Sequence, residues 1–116
     1  MASASHPFFS LDQQGLVRIA AVAPPVHIAD PGANLAEHWR LIDAAEAQGA
    51  ALVLFPELSL TGYAIDDLHL QAVVIAAAEQ ALASLVADSA RYEAVLVVGL
   101  PVRAMGGLFN TAAVVL

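Results

Sequence analysis

The chain has 116 residues, 59% of them hydrophobic, a formal net charge of −7 and no cysteine, and its four basic residues are all arginine. This is enough for one small domain and not for two, too apolar for an intrinsically disordered chain, and without the basic patch that a nucleic-acid backbone or an anionic membrane surface requires. A disulfide framework, a thiolate metal site and a cysteine nucleophile within the chain are excluded, and the composition fits a cytoplasmic protein.

Residues 1–15 read as a polar, irregular lead-in without the basic and apolar regions of a signal peptide. Residues 16–116 read as one α/β unit. Leu16–Ala23, rich in Val, Ile and Ala and closed by Pro24-Pro25, predicts a buried strand with Arg18 near its start. Asp30-Pro31-Gly32 is turn chemistry. Asn34 is expected to N-cap a first helix over about Leu35–Gln48, with Glu37 completing a capping box and Gly49 as the stop. Leu35, Trp39, Ile42 and Ala45 recur at helical spacing and form its apolar face. Ala51–Phe55 is again continuously apolar. The unit is therefore β-α-β with parallel strands and a right-handed crossover, and the unbroken apolarity predicts a sheet covered on both faces.

A second helix is expected from Asp66 or Asp67, either of which can cap it, through a break near His69 to about Ser89. Val74, Ala78, Leu82 and Leu85 give its core stripe. The longest apolar stretch, Ala72–Ala87, is interrupted by Glu79, Gln80 and Ser84 and is not read as a membrane span. Ala94–Leu100 predicts a third buried strand stopped by Pro101. Met105-Gly106-Gly107 is a turn, and Leu108–Leu116 is a fourth strand, antiparallel to the third. The sequence closes inside that apolar strand, which leaves an unpaired edge. The expectation is a truncated domain whose partner strands lie elsewhere.

In open parallel sheets ligands gather at the carboxyl ends of the strands. Glu57 falls there, two residues after Ala51–Phe55, on a turn stiffened by Pro56. A carboxylate set against an apolar strand end is costly to desolvate and is thereby poised for work as a general base. The plain alternative is a strand-end glutamate turned to water or capping a nearby amide.

The flanking residues add to this. Phe55-Pro56-Glu57-Leu58 followed by Gly62-Tyr63 resembles the glutamate motif of the nitrilase (carbon-nitrogen hydrolase) superfamily. Gly49-Ala50-Ala51-Leu52-Val53 resembles the approach to that motif, as does Asn34 at the opening of the first helix. Leu108-Phe109-Asn110-Thr111-Ala112 resembles the family's later hairpin strand. These elements come in the family's order and cover nearly the whole chain from Val17. Three stretches resemble more closely the glutaminase domain of bacterial NAD synthetases: the run from Gly15 to Val22, the loop Val26–Pro31, and Gly62-Tyr63-Ala64-Ile65-Asp66-Asp67-Leu68.

The resemblance implies a four-layer αββα sandwich, of which this chain supplies the first half with about four strands and two main helices. It also implies a Glu-Lys-Cys triad that hydrolyses the side-chain amide of glutamine and supplies the ammonia. Glu57 carries over as the general base. The lysine and cysteine have no counterpart in this sequence, so the fragment by itself is expected to be inactive. The implied partners are the C-terminal half of the domain and an ATP-dependent synthetase domain that amidates nicotinic acid adenine dinucleotide to NAD, in a homo-oligomer. ATP and Mg²⁺ would belong to that synthetase domain, and no cofactor is expected on this chain.

Other residues carry less. Tyr63 is a candidate for the substrate-site wall, set against its ordinary reading as a core tyrosine with a satisfied hydroxyl. Asp66 and Asp67 are already explained as helix caps. His27, His38 and His69 are scattered without metal-ligand spacing, and His6 lies in the lead-in, so no metal site is expected. Gly106-Gly107 is too short for a phosphate cradle. Ser59 lacks the frame of a nucleophile elbow, and Asn110 is expected to bond locally rather than to a substrate. Two rival readings remain: another amidase or N-carbamoyl hydrolase of the same superfamily, and a non-catalytic interaction module that pairs through an exposed edge strand.

Overall fold

A computed structural model describes residues 6–116. Of the expected lead-in, residues 1–5 lie outside the described part. The remainder is not wholly irregular, since it forms two short 3-10 turns, Pro7–Phe9 and Asp12–Gln14. The main elements then run β1 (Ile19–Ala21), α1 (Pro31–Ala47), β2 (Leu52–Leu54), α2 (Ala72–Asp88), β3 (Val95–Ala104) and β4 (Gly107–Val115). They form one four-stranded sheet in the order β1-β2-β3-β4, parallel across β1, β2 and β3 and antiparallel between β3 and β4. Three parallel strands in sequential order, joined by right-handed crossovers, bring both helices to one face, and α1 and α2 pack together there. The α/β architecture and its order of elements are as expected.

Four local expectations are corrected. The first concerns where α1 begins. Asp30 caps it, accepting the amide of Ala33 at 3.0 Å, and Pro31 occupies the first turn. Proline there gives up an amide that no helix would use. Asn34 is inside the helix and buried, and Glu37 pairs with Arg40 at 3.0 Å instead of closing a capping box. That hydrogen bond from Arg40 is the main reason Glu37 holds its proton less tightly than an ordinary glutamate. The helix ends as expected at Gly49, whose φ of 76° allows the Gly49 amide to reach Glu46 O and the Ala50 amide to reach Ala45 O, a Schellman stop.

The second correction is that neither Asp66 nor Asp67 caps α2. Both lie in a separate 3-10 turn, Asp66–Leu70, and α2 starts after Gln71 without a side-chain cap. Thirdly, Pro101 does not stop β3. It sits mid-strand opposite Asn110. Backbone N–H groups two residues apart point the same way, and that of Gly99 points to Ser59 rather than to β4. Pro101 therefore removes no ladder bond. The hairpin turn at Met105-Gly106 has positive φ at both residues, the type I′ geometry that suits strand twist.

The fourth correction concerns the sheet's cover, which is one-sided. Ile42, Ala45, Ala78, Ala81 and Leu85 of the helices close over Val53, Leu96, Val98 and Leu100. The opposite face, with Ile19, Leu54 and Val114, is exposed. By length and mean hydropathy (1.4) the helical stretch 72–91 could cross a bilayer. In the fold its stripe Val74, Ile75, Ala78, Ala81 and Leu85 is buried in the domain core, so it serves as a core helix.

Candidate active site

Glu57 is delivered by a tight loop after β2, at the carboxyl end of the parallel strands. The Phe55 amide still bonds Val97 O at 2.9 Å, and the chain then turns back through residues 57–61. Leu58 has a φ of 52°, a left-handed conformation that a side chain adopts only when its surroundings hold it there. The loop lies directly on β3 at Gly99. A Cβ on that residue would stand 2.4 Å from Leu58 N and 2.7 Å from Pro56 O, so only glycine admits this approach.

Beneath the loop lies a buried polar chain. His38 Nδ1 is 2.7 Å from the Asn34 carbonyl, His38 Nε2 is 2.9 Å from Ser59 Oγ, and the Gly99 amide donates to Ser59 Oγ at 3.1 Å. Asn34 Nδ2 donates to Leu60 O at 3.0 Å and to His27 O at 2.8 Å, while its Oδ1 accepts the His27 amide at 2.7 Å. Burial lowers the proton affinity of His38, opposed by its bond to the Asn34 carbonyl.

The Glu57 side chain leaves this buried base and faces a cleft of about 420 Å³ lined by Glu57, Tyr63, Asp66, His69, Phe109 and Asn110, among others. Asn110 Nδ2 donates to Glu57 Oε1, so β4 reaches across to fix the carboxylate. The enclosed setting expected for Glu57 is not present in this chain: the residue is exposed at the open cleft. Such an arrangement offers one carboxylate oxygen held by an amide and a second free to accept a proton.

The sequence-derived candidates sort clearly. Tyr63 is 69% exposed and on the cleft wall with Glu57, so it is not a core tyrosine. Asp66 joins it there and Asp67 does not. Ser59 is structural. Asn110 does not bond locally as expected: its partner is Glu57, on the loop after β2. His27 is 3.6 Å from Glu37, and His69 Nε2 is 3.4 Å from Thr61 Oγ1. Among the described residues no three His, Asp or Glu side chains are placed to share a cation. Sequence reasoning missed His38 and the buried role of Asn34. Both stand in line with Ile42 at intervals of four, so a helical wheel that ignored polarity would have placed them under the apolar face.

The sequence pattern described as carbon-nitrogen hydrolase matches residues 18–115. Over 108 residues the chain is 45% identical to the glutamine-dependent NAD(+) synthetase of Mycobacterium tuberculosis and 38% identical to that of Mycobacterium leprae. Each match covers 93% of this chain and 16% of the relative, so the chain spans about a sixth of the length of the curated relatives it matches. Among solved structures, a glutamine-dependent NAD(+) synthetase from Cytophaga hutchinsonii superposes with a TM-score of 0.77 at 26% identity, covering 85% of this chain and 17% of that one. An amidase from Nesterenkonia sp. superposes with a TM-score of 0.68 at 29% identity, covering 84% and 37%. With the strand-end glutamate, the loop seated on β3 and a family match over nearly the whole sequence, the chain belongs to the carbon-nitrogen hydrolase family.

Proposed function

We propose that this chain is the N-terminal part of a glutaminase domain and that Glu57 is its general base. The observation that carries the reading is the placement of Glu57, at the carboxyl end of β2, braced by Asn110 and open to a cleft shared with Tyr63. In the complete site the carboxylate takes the proton of a cysteine thiol, and the thiolate attacks the side-chain amide of glutamine. The proton goes to the departing ammonia, and water then releases glutamate from the thioester. A lysine holds the developing oxyanion. This sequence has neither lysine nor cysteine, so both come from chain beyond it, and the 116 residues alone release no ammonia. The relatives at 45% identity, named as glutamine-dependent NAD(+) synthetases, support glutamine as the substrate.

The same reading assigns the bare sheet face to a second sheet, completing the αββα sandwich and enclosing Glu57. ATP and Mg²⁺ belong to a synthetase domain, which uses the ammonia to make NAD, and the whole is a cytoplasmic homo-oligomer. The likeness to the Nesterenkonia amidase favours a second reading, hydrolysis of another carboxamide at the same site.

One substitution tests the assignment. In the protein that carries this chain as its N-terminal part, Glu57→Gln should lower glutamine-driven NAD synthesis by roughly 10²–10⁴-fold, the range of general-base contributions, and spare ammonia-driven synthesis. Equal loss of both would remove Glu57 from the role. Faster turnover of a simple aliphatic amide than of glutamine would favour the amidase.

A further inference from the structure

The buried polar side chains among the described residues are Asn34, His38, Ser59 and Thr61, and each adjoins the loop that carries Glu57. Burying polar groups is unfavourable unless every bond is made, and among the described residues no buried side-chain N or O lacks a partner. We propose that His38, acting with Ser59, is a positioning residue for Glu57, which it holds from both flanks. The His38 ring stacks on Phe55, two residues before Glu57, with centroids 4.0 Å apart and planes 13° apart. It also bonds Ser59, two residues after Glu57, at 2.9 Å. Asn34 on the previous turn of α1 fixes Leu60 O, and the Leu60 amide returns to Gly99 O at 3.0 Å.

The protons of this chain have one arrangement. The Asn34 carbonyl only accepts, so His38 Nδ1 carries the hydrogen. In the neutral ring Nε2 is then an acceptor. Ser59 Oγ accepts the Gly99 amide and donates its single proton to Nε2. A second proton on His38 would reverse the link: Ser59 Oγ would then accept from both Nε2 and the Gly99 amide, and its own proton would have to turn away from Nε2. The groups packed on the ring are Asn34 from its own helix, Phe55 and Ser59 from the loop, and through Ser59 the Gly99 backbone of β3. No charged side chain contributes to the proton affinity of His38, and the carboxylate of Glu57 is turned away to Asn110.

This inference rests on Glu57 being the catalytic base, but its test does not use substrate, so the two fail separately. Nitrogen-15 NMR of the full chain should show His38 as the neutral Nδ1–H tautomer near pH 7. As the pH is lowered, the Leu60 and Gly99 amide signals should titrate with the same midpoint as His38, and the amide of Val95, bonded to Ala51 O at 2.9 Å, should not. In Ser59→Ala the Leu60 and Gly62 amides should exchange with solvent at least about tenfold faster than in the unsubstituted chain while Val95 keeps its protection. Ser59→Thr, which retains the hydroxyl, should restore it. The opposite tautomer, loop amides indifferent to the titration, or loop and core protection falling together would overturn the proposal. If Ser59→Ala does not fold, the titration of the unsubstituted chain decides alone.

Discussion

The two faces of the sheet are built from the same residue types and meet different surroundings. On the helix side Leu96 is 0% exposed, and Val53, Val98 and Leu100 are equally enclosed. On the other side Leu54 is 44% and Val114 62% exposed, with Ile19 beside them. A half-solvated sheet ordinarily alternates apolar and polar residues. This one does not, so its composition matches a sheet with two covered faces while the chain supplies only one cover. The difference separates what the chain needs for its own stability from what it offers to further structure.

The sharpest way to break that comparison is to truncate one residue on each face. Leu96→Ala should destabilise the chain by roughly 2–5 kcal/mol, because the enclosed site cannot collapse around the missing methyl groups. Leu54→Ala should change stability by no more than about 0.5 kcal/mol, since its side chain is already partly in water. Urea unfolding of the two variants measures the contrast. Equal losses would mean that the open face is covered in solution.

Gly99→Ala comes next and bears on the open side of β3, where Gly99 alternates with the covered Val98 and Leu100 and the Glu57 loop closes over it. The new methyl group would meet the backbone of Pro56 and Leu58, not a movable side chain. Overpacking of this kind costs about 1–3 kcal/mol, and relief would come from lifting the Glu57 loop off β3. Loss of the Glu57–Asn110 contact in the NMR spectrum, with β3–β4 pairing kept, marks that outcome. A variant as stable as the parent, with the contact intact, would show that the close approach is not a constraint.

What the sequence revealed follows the same division. The order β-α-β-α-β-β was legible because each strand is a short apolar run and each helix carries a 3.6-residue stripe. Phe55-Pro56-Glu57 was legible as a strand end because proline and a charge follow an apolar run. The one-sided cover was hidden, since periodicity shows that a residue is fit for burial and not whether its partner belongs to the same chain. Asn34 was misplaced because it is as good a cap by type as Asp30, and the Pro31 that favours Asp30 was read as turn chemistry. His38 was invisible as a support because its bonds to Ser59 and, through it, to Gly99 join residues distant in sequence. Asn110 was expected to bond locally, but its bond to Glu57 spans two elements.

The smallest expected effect is that of pH, and it too should act through one face. The side chains of Ile19, Leu54 and Val114 on the open face carry no titratable group, whereas His38 lies under the other face. Folding lowers its proton affinity, chiefly by burial. In the window below the unfolded value of about 6.5 the unfolded chain therefore binds more protons than the folded one. Stability is fully present above that value and falls as the pH drops toward the folded value. Glu37, whose affinity is lowered mainly by Arg40, acts in the same direction but only once the pH falls below the ordinary glutamate range. Chemical unfolding followed between pH 7 and about 5, compared between the parent and His38→Gln, thus isolates the contribution of His38. Leu54→Ala should run parallel to the parent across this window, and His38→Gln should flatten the slope. A slope unchanged by His38→Gln would place the titrating group elsewhere and detach the buried chain from the pH response.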